Sequence, residues 1–359
     1  MSLFFNRISK FTVRRDNARF FSSSLPQSPY LLLGGKKLRD SPEGQIGKHR
    51  FLDPTTGDRV YSSEKTVPKE LNGQPLLGTS QGWVACLENK DFTVRLTDLY
   101  KPWISSSPKV ISLPSIGFKP STHATEVSLS SSDPVHDKDL VVAAKFSEYQ
   151  LSVCCDSKWT HIDTPYSLLP PSDLMYSKRD KAFYFTSFKG LYMGSLDLTD
   201  NELDFQELRL RDQPKIGGAG WEMLDKCFMS NHLVECPSGE LFFIKWYTDC
   251  IRRQHGEYIL MHGITKRFMV FREDEKSKDF YYTEDIGDLC IFLGKSEAFC
   301  VSASMYPGLK PNSIYYIGPG IGSYDLATGI VRSFDPPRDS REPSLVPYPY
   351  WLNPTNPIA

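Results

Sequence analysis

The chain has 359 residues, of which 24% are charged and 13% aromatic, and its formal net charge is −1. So even a balance excludes a broad electrostatic grip on nucleic acid or anionic lipid. No run approaches the roughly 18 apolar residues needed to span a bilayer, so no membrane insertion is expected, and the length leaves ample core for two ordinary domains or one large all-β domain.

The first 21 residues read differently from the rest. Arg7, Lys10, Arg14, Arg15 and Arg19 stand against a single acid, Asp16. At 100° per residue Phe4, Ile8 and Phe11 share one helical face, while Arg7, Lys10 and Arg14 gather on another. Ser22, Ser23 and Ser24 follow, and an Arg- and Ser-rich, acid-poor, amphipathic segment has the composition of an organellar transit peptide. The long apolar stretch of a secretory signal is missing. Arg19-Phe20-Phe21-Ser22 resembles a mitochondrial processing site, with the cut between Phe21 and Ser22. The expected address is the mitochondrion; chloroplast or dual import is the alternative, and a disordered basic tail is the plain reading. The body left after removal of residues 1–21 is mildly acidic.

Beyond this segment the pattern predicts many short strands joined by tight turns, with 26 prolines, 24 glycines and little helical period. Candidate strands in chain order are Trp83 to Leu87, Asp139 to Ala144, Leu151 to Cys155, Ala182 to Phe185, Glu240 to Ile244, Phe268 to Phe271 and Leu289 to Leu293. Several are apolar on both alternating faces, so both faces must be covered, as in stacked sheets. An internal repeat runs through them: a strand ending in Asp, a turn, then a short outer strand. Its marks are Asp53, Asp98, Asp197 and Asp325, with weaker copies at Asp156 and Asp274. Asp in such a turn accepts backbone N–H bonds one or two residues on.

Radial repetition satisfies this pattern, because each sheet buries both faces against its neighbours and a closed ring leaves only short edges. The predicted fold is an all-β β-propeller of about six four-stranded blades, closed by N-terminal strands around Phe51 to Tyr61; a pair of face-packed sheets is the structural alternative. The boundaries are a transit peptide over 1–21, a linker and first strand over 22–47, the propeller over 48–335 and a Pro/aromatic arm over 336–359.

Motifs that could carry chemistry are few. Gly78-Thr79-Ser80-Gln81-Gly82 matches the G-x-S-x-G elbow, but that motif needs a helix after it, and Trp83 to Leu87 reads as strand; a tight turn under Trp83 is expected. His123-Ala124-Thr125-Glu126 and His255-Gly256-Glu257 have the nearest thing to metal spacing but lack partners, and His232 reads as a satisfied residue at a strand start. Gly318-Pro319-Gly320-Ile321-Gly322 has no Lys-Ser/Thr and returns to strand, which predicts a hairpin and not a phosphate loop. Nucleic-acid binding is a weaker third class, because its nearest basic-aromatic patch, Lys245, Trp246 and Tyr247 with Arg252 and Arg253, is too small to decide anything. The eight cysteines show no C-x-x-C pair and are expected to be reduced and mostly buried. The tail holds seven prolines from Asp335 on, with Tyr348, Tyr350 and Trp351, and reads as an extended arm on the propeller surface or as a docking segment.

At Asn231 to Ile244 (NHLVECPSGELFFI), and through FMVFREDEKSKDFYYTEDIGDLCIFLGKSEAFCVSASMYPGLKPNSIYYIG over 268–318, the chain resembles the plant KIB-type β-propeller family, also described as domain of unknown function 295. Members read LVE…G-E-L, then F-x-V-F…D-L-G-D…F-L-G…N-x-I-Y-Y, and an early G-x-x-x-G-W that corresponds to Gly78 to Trp83. The resemblance covers about Ser28 to the end and implies a binding scaffold. Many relatives carry an N-terminal F-box that docks them onto a ubiquitin ligase; here the basic segment fills that place, which implies an organelle-targeted branch.

The resulting expectation is a non-enzymatic interaction module of a plant organelle, monomeric, holding a protein partner, with no cofactor and no assigned catalytic, cofactor-binding or metal-ligating set. Two alternatives stay open. One is an F-box-related ubiquitin-ligase adaptor that has lost its F-box. The other is a propeller enzyme whose residues come from separate blades, with Asp285 and Asp288 as inward-facing candidates.

Overall fold

The computed structural model describes residues 25–104, 107–117, 124–146, 150–163, 173–187, 190–198, 203–255, 258–318, 320–334 and 349–354. The expected transit peptide, its Phe21/Ser22 cleavage position and most of the tail lie outside this set. The described chain forms six sheets around a common axis, the all-β propeller that the repeat predicts.

Blade 1 contains β1 (Tyr30–Ser41), β2 (Gly44–Leu52), β3 (Arg59–Tyr61) and β4 (Lys65–Pro68). Blade 2 is β5 (Leu76–Ser80), β6 (Trp83–Leu87), β7 (Thr93–Thr97) and β8 (Val110–Ser115); blade 3 is β9 (Ala124–Leu129), β10 (Val142–Phe146), β11 (Gln150–Cys155) and β12 (Lys158–Asp163). Blade 4 is β13 (Leu174–Ser177), β14 (Ala182–Thr186), β15 (Tyr192–Asp197) and β16 (Leu203–Glu207). Blade 5 takes β17 (Leu210–Arg211), then, after helix α1 (Gly218–Asp225), β18 (Phe228–Glu235), β19 (Leu241–His255), β20 (Tyr258–Glu273) and β21 (Phe280–Thr283). Blade 6 is β22 (Leu289–Leu293), β23 (Phe299–Ser302), β24 (Ser313–Ile317), β25 (Ile321–Asp325) and β26 (Val331–Ser333). The last strand, β27 (Tyr350–Leu352), pairs antiparallel with β1 and so returns to blade 1.

Three sheets are four-stranded and three have a fifth strand. In blade 5 the addition is β17, parallel to β21 on the outer edge. In blade 6 it is β23, which lies inside β22 and forces β22 and β24 to pair in parallel.

Six apolar clusters fill the six gaps between successive blades. Strand alternation feeds them: Leu32, Tyr350 and Leu352 enter the core between blades 1 and 2, whereas Leu31 and Trp351 enter the one between blades 6 and 1. Every strand singled out as apolar on both faces is the second or third of its blade, where both neighbours press close. Outer strands splay away from the axis, so β26 is exposed throughout and β6 is buried throughout.

The Asp repeat is structural, with one mark per blade at the turn into an outer strand. Asp53, Asp274 and Asp325 accept backbone N–H bonds from Thr55 (2.9 Å), Ser277 (2.8 Å) and Thr328 (2.9 Å). Bonds from Ser277 and Thr328 hold the Asp274 and Asp325 carboxyls below the usual carboxylate range. Asp98 accepts Lys109 N–H at 2.7 Å, Asp156 sits at φ 48° in a tight turn, and Asp197 ends its strand.

Ring closure uses both termini. The N-terminal strands supply the middle and outer part of blade 1, as the sequence predicts. The inner strand is β27, so the Tyr350 and Trp351 rings are inside the ring, not on a surface arm. The reason is edge chemistry: without β27, β1 would present an unpaired edge toward the axis.

Candidate functional site

The innermost strands β27, β5, β9, β13, β18 and β23 surround the axis, and polar side chains from them fill the channel between. Glu297, in the turn between β22 and β23, reaches across it. Its Oε1 accepts Ser128 Oγ (2.8 Å) and Tyr176 N–H (3.0 Å), and its Oε2 accepts Ser80 Oγ; its own N–H donates to Thr79 O at 3.1 Å. One carboxyl from blade 6 thereby ties blades 2, 3 and 4. Burial pushes this carboxyl up to about 7, with the donated hydrogen bonds pulling the other way. Blade 1 joins through Thr79 Oγ1, which donates to Trp351 O at 3.0 Å.

A second buried network lies next along β9. Glu126, two residues from Ser128 and therefore on the same strand face, pairs with Lys145 at 3.2 Å. Burial raises the Glu126 carboxyl; Lys145 opposes the rise and the neighbouring Asp173 adds to it. Asp173 Oδ2 accepts His232 Nδ1 at 2.5 Å, and His232 Nε2 lies 2.9 Å from Ser230 Oγ.

At the end of the channel marked by Glu235 is an open cavity of about 740 Å³, lined from all six blades. Its rim holds the exposed Lys178 and Met305, and its wall holds Tyr176, Arg179, Tyr306 and Asn353. Glu235 fixes one side by accepting Ser177 Oγ and the Lys178 and Arg179 N–H groups, the latter two at 3.0 and 3.3 Å. Arg179 is held by Glu273 (2.6 Å) and Asp180 (2.8 Å), which raise its pKa. This rim is a preformed surface of mixed polarity.

The sequence-level candidates distribute as follows. Ser80-Gln81-Gly82-Trp83 is a tight hairpin turn with positive φ at Gln81 (50°) and Gly82 (77°), followed by strand, so no nucleophile elbow forms. A Cβ on Gly82 would stand 2.6 Å from the Asn353 carbonyl oxygen, just past β27. Gly82→Ala is therefore expected to cost about 2–3 kcal/mol in urea unfolding, combining strain at positive φ with a backbone clash. Gly318 to Gly322 is the hairpin between β24 and β25, as expected, with Gly318 N–H donating to Gly320 O at 2.9 Å and Pro319 outside the described residues. Trp246 and Tyr247 are buried core rings, closed to base stacking. His123, Gly256 and Glu257 lie outside the described residues, as do the side chains of His255, Arg252 and Arg253.

Asp285 and Asp288 do not face the channel: they are exposed in the turn between β21 and β22, where they cap the Gly287 and Ser304 N–H groups. Among the described cysteines all are free; Cys155 is exposed, Cys227 half-buried and the other five buried. Among the described residues no cluster of His, Cys, Asp and Glu could hold a metal, and no helix is long and apolar enough to cross a membrane. Sequence reasoning missed Glu297 because its partners lie 121 to 217 residues away. The one local hint is an acid in a short polar turn between two largely apolar strands.

The family model described as KIB1-4 β-propeller matches residues 51–340. No curated protein matches the chain. Among solved structures, a Lactobacillus plantarum protein aligns over 91% of this chain and 98% of its own, at 11% identity and TM-score 0.37. A streptogramin B lyase aligns over 69% and 82% at 11% identity and TM-score 0.32. The Myceliophteria thermophila Cps50 (Swd1) β-propeller domain aligns over 74% and 88% at 12% identity and TM-score 0.34.

Proposed function

The chain belongs to the KIB1-4 β-propeller family, and from that premise we propose that it is a monomeric, non-enzymatic interaction scaffold of a plant organelle, the mitochondrion, and holds a protein partner at the Glu235 end of its channel. The observation that carries the reading is the contrast along the axis. The channel interior is filled by the chain's own satisfied side chains, while the mouth beside Glu235 opens into a preformed cavity rimmed by exposed Met305 and Lys178. A rigid mouth of this kind costs little ordering on binding, and an exposed methionine adapts to a partner's surface. The basic amphipathic character of residues 1–21 supports the organellar address.

Two measurements test this. A C-terminal fluorescent fusion should mark mitochondria, and the same fusion without residues 1–24 should not; plastid signal, or mitochondrial signal without the segment, overturns the address. For the scaffold, a chain carrying Met305→Asp and Lys178→Glu should recover its mitochondrial partner more than about tenfold less well than the unaltered chain, the loss expected when a hot spot is removed. Equal recovery at unchanged thermal stability overturns the docking site.

A further inference from the structure

We propose that Ser230 is an acyl-accepting nucleophile, activated by His232 and positioned by Asp173, at the end of the channel opposite the cavity. The inference replaces the non-enzymatic part of the scaffold reading and leaves the docking site as it stands, because Ser230 is five residues before Glu235 on β18, about 16 Å along the strand.

The geometry is that of a relay. Asp173 Oδ2 lies 2.5 Å from His232 Nδ1, and both residues are about 95% buried. A carboxylate there takes the Nδ1–H, which leaves Nε2 as an acceptor. Ser230 Oγ, 2.9 Å from Nε2, then donates its proton to the imidazole. His232 is further fixed by the Trp246 ring, with centroids 5.8 Å apart. Ser230 is half-buried at the edge of the channel, while the base behind it is buried. Phe228, two residues earlier on the same strand face and 47% exposed, offers an apolar surface beside that oxygen. A carboxylic ester with a small apolar acyl group suits this combination.

In the reaction, Ser230 Oγ attacks the ester carbonyl carbon as its proton passes to His232 Nε2. The bond to the alcohol oxygen breaks, and His232 returns the proton to the departing alcohol. Water then attacks the acyl–Ser230 carbonyl carbon, giving a proton to His232 Nε2; the acyl–Oγ bond breaks, His232 returns that proton to Ser230 Oγ, and the carboxylic acid leaves. Water is the sole co-reactant. The triad has no local signature because Ser230 and His232 come from blade 5 and Asp173 from the start of β13 in blade 4.

The test treats the full chain with a fluorophosphonate probe and maps the adduct by peptide mass spectrometry. The expected result is an adduct on Ser230 that is absent in Ser230→Ala and forms at least about 100-fold more slowly in Asp173→Asn, whose altered partner favours the wrong imidazole tautomer. Ser230→Ala and Asp173→Asn are compared at matched thermal unfolding profiles, and p-nitrophenyl butyrate turnover is read beside them. If Asp173→Asn does not fold, His232→Gln replaces it with the same expectation. Absence of label at Ser230 in the folded chain, or equal labelling rates with and without the base, overturns the proposal and leaves the Met305 and Lys178 result untouched.

Discussion

Trp351→Ala is expected to lower the unfolding free energy by about 3–5 kcal/mol, the range for truncating a buried tryptophan. The side chain is 1% exposed, packs edge-on to Phe292 at 5.1 Å and donates from Nε1 to Leu293 O at 3.1 Å. Its removal leaves a void where blade 6 meets blade 1 and strands a buried carbonyl. Because β27 is three residues long, the ring depends on those side chains for closure more than on ladder bonds. Trp351→Phe, which keeps most of the packing and loses the N–H, should cost about half as much. Deleting residues 349–359 should abolish the cooperative urea transition and promote association through the bared edge of β1. A cooperative transition in the deleted chain with unchanged midpoint would show that the ring closes without β27.

The second large effect is at Glu297. Its carboxyl stands near 7 in the folded chain against 4.5 when solvated, so between those values the folded state holds a proton that the unfolded state has released. Stability contributed by this group is therefore lost as pH climbs through that window and is level above it, with a total on the order of 3 kcal/mol. Glu297→Gln keeps the shape without the titration, so its stability relative to the unaltered chain should rise from pH 5 to about pH 7 and level off above that. The difference between the two chains is the decisive quantity. Buried His49, whose pKa is lowered from 6.5 to about 3 by burial and by Lys65 beside it, tilts the whole profile the opposite way between those values. Glu297→Ala should be destabilising by about 2–4 kcal/mol near pH 5, because Ser80, Ser128 and the Tyr176 N–H lose their acceptor together, and by progressively less as pH rises to about 7. A pH-independent difference between the unaltered chain and Glu297→Gln would mean that Glu297 does not titrate in this window.

Much of the architecture is legible in the order of residues. Strands such as Trp83 to Leu87 and Leu289 to Leu293 are apolar on both faces, and only cover on both sides satisfies them. The Asp marks count the blades because each turn solves the same local problem, an unpaired backbone N–H after a strand end, and Asp answers it with its own side chain. Gly82 is legible for a similar reason, since positive φ is a demand of the backbone itself. Tyr350 and Trp351 are visible as rings that need burial, yet nothing near them in sequence says that their partner is Leu31 and Leu32, some 320 residues away.

What the sequence determined, then, is whatever is decided within a turn or a strand: the all-β class, the repeat, the hairpins and the separate character of residues 1–21. Only the tertiary structure decided that β27 closes the ring from inside, that β23 is inserted next to the axis, and that Glu297 and the set Ser230, His232 and Asp173 each form a connected group. The physical reason is that a channel at the axis collects one or two residues from each of six blades. Those residues meet through the closure of the ring, and no local pattern records which of them will face one another.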